Sequence, residues 1–288
     1  MPRPAQLDST AIMRINEGRQ MKVLAELADE HEHIAPAMGG GTVAFMQGTH
    51  WLCGAIGCNI DSPLTLEGAR HIYEYVGSRG GRPRIDLTDQ AGKDAFKVVA
   101  QVGLELEHAE RVLARDLAQP IEMPDVPGLT IERLDITDQD ALDRHARFTI
   151  GGFTPPGQAM SEGEVESAKR AQRHPRSRGF SAFIDGQFAA TCGMEVISIA
   201  PFPGDEPVLV ASLWGAVVGE QFRRRGLQQA LIAQRLRQGV AEGCTVAVIE
   251  CEPGIPTERN STRAGFGLAY TRLAFKAPAS EGSPEQIG

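Results

Sequence analysis

Residues 217–231 read VVGEQFRRRGLQQAL, and this stretch decides how the chain is interpreted. An apolar β-branched run ends here, three arginines and a glycine follow, and an apolar-periodic helix pattern begins at once. A strand-to-helix junction of this kind directs backbone N–H groups at one point and places the positive end of the helix dipole there. Gly226 lets the backbone approach a ligand without a Cβ in the way, and Arg223–Arg225 add positive charge. The junction therefore predicts a pyrophosphate site.

The elements around this junction form an α/β pattern. Before it we predict a strand over 129–134, a helix over 137–148, a second helix opened by a capping box at Ser161–Glu164, and a strand over 208–218. Asp185-Gly186 lies between two extended runs and predicts a hairpin, because both turn positions need a positive φ. After the junction we predict a helix over 226–242, a strand over 245–250, a short helix over 257–264 and a last strand over 268–275.

In this setting the segment resembles the acyl-CoA signature of the GNAT acetyltransferase superfamily, Arg/Gln-x-x-Gly-x-Gly/Ala at the start of the helix after the fourth strand. Arg223 and Gly226 match the first two anchors, while Gln228 stands where the family has Gly or Ala. Gly265-Phe266 matches the pair that often closes the family's last helix. The resemblance covers about residues 129–276, which is half of the chain.

The resemblance implies acetyl-CoA as the cofactor and N-acetyl transfer by direct attack of an amine on the thioester. It implies that the backbone of Ala216, Val217 and Val218 pairs with the pantetheine arm, and that an N–H at Val218 polarises the acetyl carbonyl. The other residues that it assigns to cofactor binding are Arg223, Arg224, Arg225, Gly226, Leu227, Gln228, Gln229 and Asn260. For Asn260, a helix-cap or turn role is the alternative.

The groups that would move protons are less clearly marked. The family's tyrosine, which protonates the leaving thiolate, is replaced by Ser261, so Tyr270 is the substitute candidate; the alternative is a half-buried strand residue. Glu220, Glu250 and Glu252 are candidate bases, acting directly or through water, with solvated surface carboxylates as the alternative.

The N-terminal half repeats the order of elements without the basic turn. Its apolar strand, predicted over 51–60, is followed by Asp61-Ser62-Pro63-Leu64-Thr65, where the proline removes an N–H. We therefore interpret this half as a degenerate GNAT-like domain without cofactor. The proline-rich segment 119–128, QPIEMPDVPG, predicts the boundary between domains 1–122 and 123–276, followed by a disordered tail, 277–288. The predicted fold class is α/β of the α+β type, with two GNAT-like domains that are each a mixed, mostly antiparallel twisted sheet flanked by helices.

Composition narrows the remaining possibilities. The chain has 288 residues, 42% of them hydrophobic, and a net charge of 29 − 37 = −8, which suits about two globular domains and disfavours a nucleic-acid partner. No apolar run reaches the ~18 residues of a membrane span, and no secretory signal is recognisable, so we expect a cytoplasmic protein without a membrane partner. No metal site is predicted, because CxxC is absent and His31-Glu32-His33 is interpreted as a solvated helix end.

The expected partner is a small-molecule amine acceptor, and the expected state is a monomer or homodimer. A non-catalytic acyl-CoA-binding or regulatory module is the alternative function.

Overall fold

The computed structural model describes residues 8–49 and 51–279 of the chain. It divides into two compact units. The N-terminal unit comprises Ser9–Arg111 together with residues 270–279, and the C-terminal unit is centred on Val112–Ala269.

The N-terminal unit is a mixed sheet with helices against it. Its elements are α1 (Ser9–Leu27), β1 (Glu30–His33), β2 (Thr42–Phe45), β3 (Gly54–Ile56), α2 (Leu66–Gly77), β4 (Arg84–Thr88), α3 (Gly92–Gln101) and the greater part of β11 (Gly267–Lys276). The strand order is β1-β2-β3-β4-β11, and only β3 and β4 are parallel. Apolar side chains of α2, α3 and the strands, such as Ile72, Val99 and Ile85, form its core.

The C-terminal unit is built on the same plan. Its elements are β6 (Leu129–Arg133), α4 (Gln139–Phe153), α5 (Glu162–Arg173), β7 (Ser177–Ile184), β8 (Gln187–Ile199), β9 (Val208–Val218), α6 (Leu227–Ala241), β10 (Val246–Cys251) and α7 (Pro256–Arg263). The order is β10-β9-β8-β7-β6, and only β9 and β10 are parallel. In both units, antiparallel strands lead into a helix that returns the chain to a parallel strand. The predicted fold class is therefore confirmed.

Each unit takes a strand segment from the other half of the chain. β5 (Glu105–Asp116) crosses the division, and its residues from Val112 onward lie in the C-terminal unit, where β5 neighbours β10. Conversely, β11 pairs antiparallel with β4 of the N-terminal unit, from Arg272 opposite Thr88 to Lys276 opposite Arg84. The compact units thus have other bounds than the predicted domains 1–122 and 123–276, and that division stays a prediction.

Local expectations are mostly met. The hairpin turn is confirmed, with φ of 48° at Asp185 and 78° at Gly186. The helix end predicted at His31-Glu32-His33 is wrong, because α1 ends at Leu27 and these residues form the edge strand β1 against β2. Ala277, the first residue of the predicted tail, is buried and donates its N–H to the Pro83 carbonyl, while 280–288 lie outside the described residues.

A buried polar cluster fixes α4 against the sheet that carries β9. His145 is 1% exposed; its Nδ1 lies 3.2 Å from Ser181 Oγ, and the Gln172 amide nitrogen lies 3.0 Å from its Nε2. One turn later, the Thr149 hydroxyl lies 2.9 Å from that of Thr191 on β8. Burial lowers the pKa of His145 to about 4. A neutral ring, accepting at Nε2 and donating from Nδ1, satisfies both neighbours, so this packing depends on a neutral histidine.

We predict that His145 makes the protein sensitive to mild acid. The unfolded chain binds a proton at this residue below a pKa of about 6.5. The folded chain binds it only below a pKa of about 4. Stability is therefore lost as pH falls from about 6.5 to about 4, by at most about 3 kcal/mol from this group. Urea unfolding across this range, for the natural protein and His145→Gln, measures the effect; an identical pH slope in the two proteins would contradict it.

Candidate functional site

The parallel pairing of β9 with β10 is short, so we expect the two strands to part beyond it and to leave a crevice between them. The two strands are in register from Val210 opposite Val246 to Leu213 opposite Ile249. β9 continues to Val218, and its residues after Leu213 have no registered partner on β10 in the described chain. The residues predicted to pair with pantetheine, Ala216, Val217 and Val218, all lie in this stretch and are half-buried. A crevice beyond the carboxyl ends of parallel strands is where α/β sheets bind ligands.

A β-bulge accompanies the end of this pairing. Between β8 and β9 the register runs from Gly193 opposite Trp214 to Thr191 opposite Val217, so β9 carries one extra residue here. Gly215 lies in the bulge with a φ of +60°, in the left-handed region that favours glycine. Bulges bend and twist a strand. The bulge therefore turns the end of β9 at the point where β10 leaves it.

The predicted phosphate turn follows directly. A short 3-10 helix over Glu220–Phe222 leads into the three arginines, which are all exposed, and then into α6. Arg224 and Gly226 both have positive φ, of 63° and 86°. Glycine adopts that conformation freely, whereas for arginine it costs of order 1–3 kcal/mol and is typical of functional turns.

The first turn of α6 is left open toward a ligand. Gly226 occupies the N-cap position; within the described chain no side chain caps this helix, and its first turn contains no acidic residue. The orphan N–H groups of a 15-residue helix therefore carry its positive dipole end without a competing carboxylate. Leu227 is buried beneath them in the core of the unit. The arrangement fits an anion such as a pyrophosphate.

Two glutamines of this turn are bound to α7. The Gln228 amide donates to Thr257 Oγ1 at 3.0 Å and accepts from the Asn260 amide, so this larger residue is directed toward α7. Gln229 donates to the Asn260 backbone carbonyl at 2.7 Å. The Asn260 side chain is thus already engaged with both glutamines, and its predicted contact with the cofactor would require an exchange of partners.

The candidate bases differ in environment: Glu250 lies in β10, Glu220 opens the short 3-10 helix after β9, and Glu252 is exposed. Glu250 follows Ile249, the last residue of β10 in register with β9, and is half-buried at the mouth of the crevice. The Glu220 side chain is 85% exposed and lies 3.3 Å from Arg223 in an ion pair. Because Glu250 directly follows the last registered pair of the two strands, it is the better placed base.

Neither candidate for the thiolate proton is accessible. Ser261, at the family's tyrosine position, is 0% exposed, and its hydroxyl has no hydrogen-bond partner in the described chain. Tyr270 belongs to the N-terminal unit and is 2% exposed; it donates to Glu17 and accepts from the Asn16 amide at 2.8 Å. Arg272 also donates to Glu17, at 2.6 Å. Its hydroxyl is thus enclosed in this cluster, and this burial argues against the predicted role of Tyr270 as the proton donor to the thiolate.

The corresponding turn of the N-terminal unit is closed. Thr65 caps α2, its hydroxyl accepting from the Gly68 N–H at 3.1 Å, and Pro63 contributes no N–H. Asp61 forms an ion pair with Arg14. The helix end that would face a phosphate is therefore already satisfied by its own chain.

Over 8–49 and 51–279, no helix combines the length and apolarity that crossing a membrane requires. Over the same residues, no three His, Cys, Asp or Glu side chains are grouped so that they could hold a metal ion.

Comparison with solved structures identifies the fold. A GCN5-related N-acetyltransferase from Kribbella flavida superposes with a TM-score of 0.66 over 94% of this chain and 97% of its own, at 16% identity. A tandem GNAT protein from the clavulanic acid biosynthesis pathway gives 0.59 over 96% and 98%, at 13% identity. A GCN5-related N-acetyltransferase from Sphaerobacter thermophilus gives 0.57 over 96% and 95%, at 15% identity.

By sequence, no protein-family model matches the chain, and no curated protein is significantly similar to it. At these identities the structural likeness concerns the fold. The chain has a GNAT fold over nearly its whole length, as in a tandem GNAT protein.

We predict that Tyr270→Phe destabilises the protein. The change leaves the buried carboxylate of Glu17 and the amide of Asn16 each without one hydrogen bond. Such losses cost about 1–3 kcal/mol of unfolding free energy, which urea denaturation measures. A variant of unchanged stability but reduced acetyl transfer would instead return Tyr270 to the role of proton donor.

Proposed function

We propose that this chain is an acetyl-CoA-dependent N-acetyltransferase of the GNAT superfamily, with one cofactor site, in the C-terminal unit. The observation that carries the proposal is the uncapped start of α6, placed with three exposed arginines at the end of a strand that has left its parallel neighbour. The uncapped helix start accepts a pyrophosphate, and the strand that has left its neighbour accepts an extended arm that pairs with it.

In this proposal each part of the site has one role. The backbone N–H groups of residues 224–229 hold the pyrophosphate, and the Arg223, Arg224 and Arg225 side chains add charge at its rim. Ala216, Val217 and Val218 pair with the pantetheine arm through their backbone. Asn260 is a further contact once it is released from the glutamines.

Bound there, acetyl-CoA would supply a thioester that an amine attacks directly. Glu250, at the mouth of the crevice, accepts the proton from the attacking amine, directly or through one water, and Glu220 is the second candidate. The Val218 N–H polarises the acetyl carbonyl. Because Ser261 and Tyr270 are both buried, solvent supplies the proton that the sulfur takes up. The acceptor in this proposal is a small-molecule amine.

One observation favours a second candidate function. With the hydroxyls of Ser261 and Tyr270 enclosed, no side chain at the family's proton-donor position serves the leaving group. A module that binds acyl-CoA without transferring its acyl group, as a regulatory protein would, retains the same α6 turn and lacks this donor.

We predict that Gly226→Glu abolishes cofactor binding. The substitution forces a side chain into a φ of +86° and places a negative charge at the start of α6. Affinity for CoA, measured by calorimetry, should fall about 100-fold or more, that is by at least about 2.7 kcal/mol. Gly204→Glu is the matched control: it has a φ of +90° and no atoms nearby, and it gains the same charge. Absent CoA binding in the natural protein, or equal losses in both variants, would refute the cofactor site.

We predict further that Glu250→Gln slows turnover more than Glu220→Gln. A general base contributes about 10²–10⁴-fold, and only the half-buried Glu250 lies where the two strands part. Release of the free thiol from acetyl-CoA, followed over a panel of amines, measures kcat for each variant. A larger loss at Glu220 would move the base there. Tight CoA binding without thiol release by any amine would favour the binding module.

A further inference from the structure

A buried arginine underlies the bulge of β9. Arg235 of α6 is 0% exposed, and its Nη1 donates to the carbonyls of Gly193 on β8 and Trp214 on β9, at 3.2 and 3.3 Å. Gly193 and Trp214 are the register pair that borders the bulge. Its Nε donates to the Leu231 carbonyl of the preceding helical turn at 3.0 Å, which orients the guanidinium. One side chain thus joins α6 to both strands where their register changes.

Among residues 8–49 and 51–279, no carboxylate balances this charge. Burial lowers the pKa of the Arg235 guanidinium, and the ionisable group that acts on it is the thiol of Cys192. Its Nη2 donates to no group among the residues that the structure describes. A buried cation without a counter-ion is costly, and it is better explained by a geometric requirement than by stability.

The position of Arg235 on α6 suggests that requirement. Gly226, at the start of the same helix, faces the proposed pyrophosphate site, and Arg235 lies about 13 Å further along at 1.5 Å per residue. The bulge that it holds precedes the strand segment proposed to pair with pantetheine. One helix therefore fixes both the phosphate end and the direction of β9 at the arm.

We propose that Arg235 is a positioning residue for the thioester end of the cofactor: by holding the Gly193 and Trp214 carbonyls it fixes the bulge, and so directs the β9 backbone of Gly215–Val218 toward the pantetheine arm. The inference rests on the proposed function. It requires arginine, because a planar guanidinium can donate to both strands and to its own helix, whereas the point charge of lysine cannot span the three carbonyls.

The test compares two ligands that differ only in the arm. CoA reaches the bulge, whereas 3′-phosphoadenosine 5′-diphosphate carries the phosphate end alone. For Arg235→Lys and Arg235→Met, we expect CoA affinity by calorimetry to fall about tenfold or more, with a matching fall in kcat, and affinity for the nucleotide to stay within about twofold. Arg237→Met, on the exposed face of α6, is the control for loss of an arginine from this helix.

Gly215→Ala perturbs the same bulge from the β9 side, because a side chain is strained at a φ of +60°. It should reproduce the selective loss of CoA, and if Arg235→Met does not fold, Arg235→Lys and Gly215→Ala decide together. Parallel losses for both ligands, or unchanged CoA affinity in Arg235→Lys, would overturn the inference. Failure of the natural protein to bind CoA would overturn the proposed function instead, so the two are told apart.

Discussion

Four residue pairs join β9 to β10, and only Trp214 separates the last of them from the bulge in β9. The geometry of the candidate site follows from this limit. Had the strands stayed in register to Val218, β10 would have covered the backbone that is open, and α6 would have started beside a closed sheet. Because β9 bends first, its free edge and the N–H groups of α6 belong to one crevice. Arg235 holds the bend from the helix side.

The two units show how little separates a structural helix start from a ligand site. α2 and α6 each follow a strand and each return the chain to a parallel one. Thr65 satisfies the start of α2 with its own hydroxyl, whereas Gly226 leaves the start of α6 bare. At the start of α2 a threonine hydroxyl satisfies the first-turn N–H groups, and at the start of α6 the same groups stay open, where we propose that an anion binds.

Features encoded over a few residues could be predicted from the sequence. The Asp185-Gly186 turn, the Ser161 cap and the junction at 223–226 each express a local conformational preference, and the structure has them where expected. Features that depend on distant packing could not. No periodicity in the sequence indicates that β5 and β11 are shared between the units, that Ser261 is buried, or that Tyr270 is enclosed. The burial of Arg235 could not be predicted either, because an arginine on a helix is normally solvent-exposed.

The pairing of β11 with β4 also affects how the protein folds during translation. Thr271 and Asp89, bonded beside the β4–β11 pair, are 182 positions apart in the chain. A ribosome releases the N-terminal half first, at about 5–20 residues per second. The edge of β4 must then wait for the last strand to be translated, and an unpaired edge in that interval is open to pairing with other nascent chains. The half that is synthesised first is completed last, so a translation product that stops before β11 would carry an exposed sheet edge at β4.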